Sequence, residues 1–152
     1  MRELGIKRIE AHVAAVCVTP PPNPLLLAMH RSWDRTLFPG YWEGPGGQVH
    51  EEESFPEAVL RHLREEAGIT GHILEPITTY VIEPGTISGA EERIPGIRFL
   101  VLMDQPVRTR LDPRQHQGSQ WMPIDHISEV RWIPGVLPQL EQAISRLRLF
   151  SA

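Results

Sequence analysis

The stretch GPGGQVHEEESFPEAVLRHLREEAGI, residues 44–69, decides which fold this chain is expected to adopt. Its glycine-rich beginning forbids a regular helix and indicates a strand that breaks into a tight loop. The residues after this loop predict a helix, because Ser54 and Glu57 have the spacing of a capping box and Gly68 supplies a C-terminal stop. Apolar residues at helical spacing predict the face that packs on a core, namely Val59, Leu60, Leu63 and Ala67.

Another side of this helix is polar and strongly acidic. On a helical wheel one arc beside the apolar face is formed by Ala58, Arg61, His62, Glu65 and Glu66. The two adjacent glutamates splay around an edge of the helix, and the preceding glycines let the backbone aim a carbonyl at the same point. Two carboxylates, a carbonyl and waters make an oxygen-rich site of the kind that Mg²⁺ or Mn²⁺ prefers. Arg61 stands four residues from both Glu57 and Glu65, so it can pair with either.

The stretch resembles the Nudix box, which reads Gly, five residues, Glu, seven residues, then Arg-Glu-apolar-any-Glu-Glu-any-Gly-apolar. The matching residues are Gly47, Glu53, Arg61, Leu63, Glu65, Glu66, Gly68 and Ile69. Two further segments are similar to the family: the Trp-Glu-Gly-Pro-Gly-Gly lead-in at 42–47, and a tryptophan-containing strand at 121–125 before the last helix. Similarity in the order of elements covers residues 9–150.

The resemblance implies an α/β (α+β) fold in which a Nudix-like mixed sheet is sandwiched between helices. It also implies a divalent-metal-dependent hydrolase that cleaves a diphosphate bond in a nucleoside diphosphate linked to another moiety, such as a nucleoside triphosphate or a nucleotide sugar. Mg²⁺ or Mn²⁺ would bridge the diphosphate oxygens and lower the pKa of a bound water. The catalytic positions are then Glu53, Arg61, His62, Glu65 and Glu66. The metal ligands would be Glu65, Glu66, His62 and a carbonyl of Gly46, and the substrate-binding positions would be Arg31, Trp42, Gly46 and Gly47.

The chain departs from the box at His62, where the family has a glutamate that binds the metal or acts as general base. Three roles are open for the imidazole. It could be a metal ligand that suits Mn²⁺ or Co²⁺ better than Mg²⁺, a general base near neutral pH, or a partner of Glu65 or Glu66. We therefore expect hydrolysis to be slow with Mg²⁺ and faster with Mn²⁺ or Co²⁺.

A late carboxylate is also missing from its usual place. Many relatives have Glu six residues before the tryptophan of the late strand, and here that residue is Gln115. Glu91 and Glu92, in the loop before the strand predicted at 96–104, are candidates to supply it. These departures keep open a second function, a nucleotide-binding or regulatory module that retained the fold and lost efficient chemistry. A diphosphate isomerase of the same fold is disfavoured, because the chain is short and Cys17 lies in a predicted core strand.

A basic and aromatic segment follows the second predicted strand. Its members are His30, Arg31, Trp33, Arg35, Phe38, Tyr41 and Trp42. Arginine beside aromatic rings can hold the phosphate and the base of a nucleotide, although ordinary loop packing explains the same composition equally well. The expected partner is a small nucleotide or another diphosphate, which the loop 84–96 could read in part.

Length, net charge and hydropathy argue against a multidomain protein, a nucleic-acid-binding protein and a secreted or membrane-spanning protein. The 152 residues suit a single domain spanning 1–152, and the net charge of −4 argues against a nucleic-acid backbone as the main partner. The N-terminal segment lacks an apolar h-region and no apolar run has the length of a membrane span, so a cytoplasmic protein is expected. A monomer or a homodimer is expected. Cys17, the only cysteine, excludes an intrachain disulfide and is expected to be buried. No role is assigned to His12, His72, His116 and His126.

Hydrophobic patterning and turn residues predict the remaining elements. Strands are expected at 9–18, 25–31, 42–49, 72–83, 96–104 and 119–124, and a closing amphipathic helix at 136–150. The first two strands could pair as a hairpin across a proline-rich turn. Strands, a helix, further strands and a last helix predict a mixed sheet flanked by helices.

Overall fold

The computed structural model describes Gly5, residues 8–85, residues 91–149 and the backbone of Phe150. Its strands are β1 (His12–Val18), β2 (Leu25–Arg31), β3 (Trp42–Glu43), β4 (Gly46–Gln48), β5 (His72–Ile82), β6 (Ile94–Leu102) and β7 (His116–Pro123). Its helices are α1 (Phe55–Ala67), a 3-10 helix (Ile124–Glu129) and α2 (Val136–Phe150). None of the helices within these residues is long and apolar enough to cross a membrane.

Strand β1 lies at the centre of a mixed sheet. It pairs in parallel with β6 from His12 opposite Gly96 to Val18 opposite Leu102. On its other edge β1 pairs with β4 through its first residues, and it meets β2 at Val18 opposite Leu26. The first two strands are therefore antiparallel neighbours, but they do not form an extended hairpin. Because β4 and β2 leave β1 at different points, the sheet opens into two branches, β5-β6-β1-β4 and β7-β2-β3.

The side chains of β1 alternate between two cores, one on each face of the sheet. The core beneath α1 includes Val13, Ala15, Cys17 and Leu63, and the core beneath α2 includes Val16, Val18, Leu140 and Ile144. The predicted sheet between helices is thus confirmed. Cys17 is fully buried as expected, and burial raises the pKa of its thiol to about 12.

Both ends of α1 are fixed by the residues that predicted them. The Ser54 hydroxyl accepts a hydrogen bond from the Glu57 N–H, and the Glu57 carboxylate accepts one from the Ser54 N–H. Gly68 adopts a left-handed conformation with φ of 67°, and its N–H donates to the carbonyls of Arg64 and Leu63. These caps set which residues of α1 face the core and which face the loop before it.

Several boundaries differ from the prediction. The first strand begins at His12 instead of residue 9, and the segment 42–49 divides into the short strands β3 and β4. Strand β6 begins at Ile94 because β5 extends far enough to pair with it, and β7 begins at His116 because Arg31 pairs there across a bulge. Ala58, expected on the polar arc of α1, is instead fully buried in the core beneath that helix.

Candidate functional site

A cavity of about 1130 Å³ lies where the two branches of the sheet separate. Its lining brings together residues of α1, β4, β1 and the β2–β3 branch. The predicted site residues among them are Arg31, Gly46, Gly47, His62, Glu65 and Glu66. Gln115 and the candidate late acids Glu91 and Glu92 also line it. Glu53, Arg61 and Trp42 are outside this lining.

Glu66 presents a buried carboxylate to the cavity. Its side chain is 15% exposed, and its Oε2 lies 3.0 Å from Nδ1 of His62. That oxygen takes no aligned hydrogen bond from any described residue. Burial raises the pKa of Glu66, and the contact with His62 offsets part of this effect. A buried carboxylate is costly unless a cation compensates its charge, and His62 does so only when its imidazole is protonated, so Glu66 also fits the role of a metal ligand.

His62 uses both ring nitrogens within the protein. Nδ1 faces Glu66, and Nε2 lies 2.9 Å from the carbonyl oxygen of Gln48. Burial alone would lower the pKa of His62, but the contacts with Glu66 and Gln48 outweigh it and the pKa is raised. Of the three roles left open by the sequence, pairing with a neighbouring glutamate is the one that the geometry favours.

The imidazole of His62 also explains a glycine of the box. A Cβ on Gly47 would lie 2.7 Å from Nε2 of His62, so no larger residue fits beneath the ring without displacing it. The glycine therefore lets α1 approach β4 closely enough for His62 to reach the Gln48 carbonyl.

Glu65 stands in a different environment from its neighbour. Its side chain is 60% exposed, and its Oε2 lies 3.1 Å from Nη1 of Arg61. The two glutamates thus splay apart as the helical spacing predicts, although both line the same cavity. Among the described residues, no group of three or more histidine, cysteine, aspartate or glutamate side chains is arranged to hold a metal ion. A cation here would therefore need backbone carbonyls and water beside these carboxylates.

Arg61 braces the loop before α1. It contacts Glu53 through two hydrogen bonds, Nε to Oε2 at 2.6 Å and Nη2 to Oε1 at 2.9 Å, and Nη2 also donates to the Gln48 carbonyl. Glu53 accepts a further hydrogen bond from the N–H of His50. The hydrogen bonds from Arg61 lower the pKa of Glu53 to about 2. Of the two partners that the helical spacing allows, Arg61 pairs with Glu65. It also pairs with Glu53, while Glu57 is held by the helix cap.

A buried cluster that the sequence did not reveal lies across the cavity from α1. Arg31 is 2% exposed and pairs with Glu43 at 3.0 Å, and His116 Nε2 lies 2.7 Å from Oε2 of the same glutamate. Burial alone would raise the pKa of Glu43, but His116 and Arg31 outweigh it and the pKa is lowered. Arg31 also donates to the carbonyls of Leu37 and Phe38. The arginine expected to bind substrate is therefore engaged in holding a loop at the cavity wall.

The signals for this cluster are weak at the sequence level. Glu43 lies in the lead-in at 42–47, in which the tryptophan and the glycines carry the family resemblance and the glutamate indicates no function by itself. His116 is next to Gln115 but has no ligand-like spacing to any other histidine. The pairing of β2 with β3 on one edge and with β7 on the other brings Glu43 and His116 together.

The aromatic segment is divided between packing and exposure. The ring of Trp42 stacks on His30 with 4.4 Å between centroids, and Trp42 packs with Phe38 and Tyr41 against the core beneath α2. Trp33 is 69% exposed. Phe38 and Arg35, both members of the basic and aromatic segment considered for nucleotide binding, line the cavity. The loop 84–96, expected to read the substrate, has residues 86–90 outside the described part of the chain.

Comparison with known proteins assigns the class. The sequence profile of the NUDIX domain matches residues 9–142, which contain the box, the lead-in and the late tryptophan strand. The chain belongs to the NUDIX domain family.

Individual relatives and solved structures agree with this assignment. CTP pyrophosphohydrolase of Escherichia coli is 30% identical over 102 residues, 67% of this chain and 70% of that protein. The uncharacterized Nudix hydrolase YvcI of Bacillus subtilis is 27% identical over 63% of this chain, and the match spans 60% of the relative's length. 8-Oxo-dGTP diphosphatase of Proteus vulgaris is 34% identical over 58 residues, 38% of this chain and 50% of that protein.

Two crystal structures show the same fold. The NUDIX domain of Shewanella oneidensis NrtR, complexed with ADP ribose, has a TM-score of 0.75 at 24% identity and covers 93% of this chain and 90% of that one. A Caenorhabditis elegans Ap4A hydrolase in a binary complex has a TM-score of 0.75 at 18% identity, over 93% of this chain and all of that one (100%). The first is described as a domain with a bound ligand and the second as a hydrolase, so the fold is compatible with binding and with chemistry.

Proposed function

We propose that this chain is a divalent-metal-dependent hydrolase that cleaves a diphosphate bond in a nucleoside diphosphate linked to another group. The observation that carries the proposal is the buried carboxylate of Glu66, which lines a large cavity and has, among the described residues, only the imidazole of His62 as an ionic partner. Two relatives with matching sequence are named as a pyrophosphohydrolase and a diphosphatase, which supports the same class of reaction.

The proposed metal ligands are the carboxylates of Glu65 and Glu66 and the carbonyl of Gly46. Glu66 is held in place by His62, and Glu65 is exposed enough to turn from Arg61 toward the cavity. When bound, Mg²⁺ or Mn²⁺ would neutralise charge on the phosphate oxygens and lower the pKa of a nearby water. In hydrolysis, water attacks phosphorus, and the bond from that phosphorus to the bridging diphosphate oxygen breaks, so that the other phosphate group leaves. Arg61 on α1 holds the preceding loop against the helix, because it donates hydrogen bonds to the Glu53 carboxylate and to the Gln48 carbonyl.

The proton of the attacking water must go to a nearby base. Glu65, Glu66 and His62 are the candidates, since all three line the cavity. His62 already contacts Glu66 and the Gln48 carbonyl through its two nitrogens, which makes a glutamate the better acceptor. In this assignment His62 positions Glu66, and a glutamate receives the proton.

The substrate is proposed to be a nucleotide. A cavity of about 1130 Å³ slightly exceeds the usual range of small-molecule sites, about 300–1,000 Å³, and has room for a base, a sugar and a diphosphate. Arg35 and Phe38 line it and offer a cation and an aromatic ring. The names of the relatives point to nucleoside triphosphates, and the NrtR domain was crystallised with a nucleotide sugar-like ligand, ADP ribose.

A second candidate is a nucleotide-binding or regulatory module with impaired chemistry. The specific observation in its favour is that His62 occupies the position of a box glutamate and draws Glu66 into a pair inside the protein. The two candidates differ in turnover and share the expectation that a nucleotide binds.

A substrate panel with matched variants separates them. Nucleoside triphosphates, nucleotide sugars and dinucleotides are incubated with Mg²⁺ and with Mn²⁺, and phosphate-containing products are quantified. We expect metal-dependent turnover that Glu66→Gln lowers by about 100-fold or more. Glu141→Gln, which removes the same charge from an exposed position on α2, should leave the rate unchanged. Saturable binding without turnover across the whole panel would instead support the binding module.

A further inference from the structure

Arg98 lies on β6, far in sequence from the box, and its side chain lines the same cavity as Glu66. It is on the face of the sheet that α2 covers, since β6 residues alternate between faces and Leu100 belongs to the core beneath α2. Only 6% of Arg98 is exposed. The chain therefore buries a guanidinium at the wall of a cavity whose other wall is acidic.

The described residues satisfy this guanidinium only in part. Its Nε donates to the side-chain oxygen of Gln139 on α2, and its Cζ lies 5.6 Å from the centroid of the Tyr80 ring. The buried Nη1 has no hydrogen-bond partner. No carboxylate of the described residues forms an ion pair with Arg98, whereas Arg31, the other buried arginine, has Glu43.

Two glycines shape the space around the guanidinium. A Cβ on Gly96 would lie 2.8 Å from the hydroxyl of Tyr80, so the glycine makes room for that ring beside Arg98. A Cβ on Gly44 would lie 3.8 Å from Nη1, which places the unpartnered nitrogen next to another residue of the cavity lining. Arg98 and Gly44 both line the cavity, so Nη1 lies within the wall beside it.

The groups in contact with Arg98 carry no negative charge, and Glu43 attracts its guanidinium only from beyond ion-pair distance. The hydroxyl of Tyr80 lies 2.6 Å from Nδ1 of His12. Burial is the main cause that keeps both groups neutral, since it lowers the pKa of His12 to about 4 and raises the pKa of Tyr80. The guanidinium therefore stands in a pocket of neutral hydrogen-bonding groups, and its charge is uncompensated at contact distance.

A buried cation without a counter-ion destabilises the folded chain, and an anion that binds it recovers that free energy. The planar fork of arginine suits the oxygens of a phosphate particularly well. The acidic end of the cavity, at Glu65 and Glu66, repels phosphate unless a cation is bound there. The two ends are therefore complementary to different parts of one ligand.

We propose that Arg98 forms a phosphate-binding subsite, separate from the carboxylates of α1, that holds a phosphate group of the ligand without a metal ion. The inference deepens the proposed function, because it predicts a substrate whose phosphates reach from Glu66 to Arg98. A free inorganic phosphate, as substrate or product fragment, offers the same chemistry to Arg98 as a nucleotide phosphate does.

The subsite can be tested without turnover, by removing divalent ions with EDTA. Binding of inorganic phosphate, ADP and adenosine is measured by calorimetry and by the shift in melting temperature, with acetate at equal ionic strength as the comparison anion. We expect phosphate and ADP to bind and adenosine and acetate to have little effect. Arg98→Met should raise the Kd of ADP by about 10- to 100-fold, because a charge-assisted hydrogen bond is lost.

A matched variant removes an equal charge elsewhere. Arg146→Gln affects an arginine of α2 that pairs with Glu75 and lies outside the cavity lining, so it should bind ADP as the unmodified chain does. Arg98→Lys retains the charge and loses the fork, and it should bind ADP with an intermediate Kd even if Arg98→Met does not fold. Equal Kd values for the Arg98 variants and Arg146→Gln would overturn the subsite, as would acetate binding as tightly as phosphate.

The result can be separated from the outcome of the substrate panel. If no compound is hydrolysed but ADP binding in EDTA depends on Arg98, the subsite stands and the hydrolase proposal fails. If metal-dependent hydrolysis is present and ADP binding is insensitive to Arg98, the hydrolase stands and the subsite fails. A Kd for inorganic phosphate close to that for ADP would assign the subsite to the phosphate group alone, in agreement with the proposal.

Discussion

Glu65 and Glu66 are adjacent in the sequence, yet the fold gives them opposite properties. Glu66 is buried and faces His62, whereas Glu65 is exposed and pairs with Arg61. A cation that draws on both carboxylates must therefore loosen one exposed ion pair, which costs little, because surface ion pairs contribute only about 0–1 kcal/mol. The buried glutamate fixes the position of the site and the exposed one can adapt to the ligand.

Restoring the carboxylate of the box at position 62 is expected to raise Mg²⁺-dependent turnover. His62→Glu places an oxygen ligand that suits Mg²⁺ where the box has its carboxylate, and it frees Glu66 from its imidazole partner. We expect a gain in kcat of about 10-fold with Mg²⁺ and a smaller gain with Mn²⁺. Rates with Mg²⁺, Mn²⁺ and Co²⁺ are compared for the unmodified chain and the variant.

The control for this substitution adds a carboxylate at a distant surface position. His126 pairs with Glu129 on an exposed part of the chain, and His126→Glu should leave the preference among metals unchanged. A Mg²⁺ rate that is unaltered or lost in His62→Glu would show that the histidine is not a simple replacement for the missing acid.

At the scale of an element, α1 combines signals that are all local, and the sequence predicted it accurately for that reason. Its N-cap, its C-cap and its apolar stripe lie within fifteen residues, from Ser54 to Gly68, and each acts through backbone groups or packing of the same helix. The separation of Glu65 from Glu66 followed from helical geometry alone.

The local sequence pattern did not predict contacts between residues that are far apart in the chain. His116 and Glu43 are separated by 73 residues, and His12 and Tyr80 by 68. Such pairs depend on which strands are neighbours and in which register, and the parallel pairing of β1 with β6 leaves no mark in the local pattern. The partners of buried polar residues therefore required the structure.

Loss of the N-cap is expected to destabilise the chain through α1. Ser54→Ala leaves the Glu57 N–H without its acceptor and should lower the free energy of unfolding by about 1 kcal/mol. That corresponds to a fall in melting temperature of roughly 2–4 °C for a chain of this size. Calorimetry or urea unfolding measures the change. Ser145→Ala, at an exposed position inside α2, removes a hydroxyl without a capping role, and an equal loss there would contradict the assignment to the cap.

At the scale of the whole molecule, a single cavity contains both an acidic wall and a wall with a buried arginine. One wall belongs to α1 and its acidic residues, and the other wall belongs to β5, β6 and α2 with the buried Arg98. The opening exists because β4 and β2 leave β1 at different points. The separation of β4 and β2, which prevents an extended hairpin of β1 and β2, thus creates a site that spans acidic and basic regions.

Because His12 is buried in the lining of this cavity, the free energy of unfolding depends on pH in the acidic range. Burial, with the charges of Arg98 and His62, lowers the pKa of His12 to about 4, and Glu43 opposes this shift. Between pH 6.5 and 4 the unfolded chain takes up a proton at His12 while the folded chain does not, so folding loses stability as the pH falls through this window. A shift from 6.5 to about 4 corresponds to a loss of roughly 3 kcal/mol once the pH is below 4.

The dependence can be isolated by comparing slopes between variants. Urea unfolding of the unmodified chain and of His12→Gln is measured from about pH 7 to about pH 4, the window in which the imidazole titrates. Glutamine cannot take up the proton, so the stability of the variant should fall less steeply, whatever its stability at neutral pH. His72→Gln, at an exposed position on β5, should keep the slope of the unmodified chain. Parallel slopes for the unmodified chain and His12→Gln would mean that the imidazole is accessible to protons in the folded state, and that the cavity wall beside Arg98 is more open to water than its burial indicates.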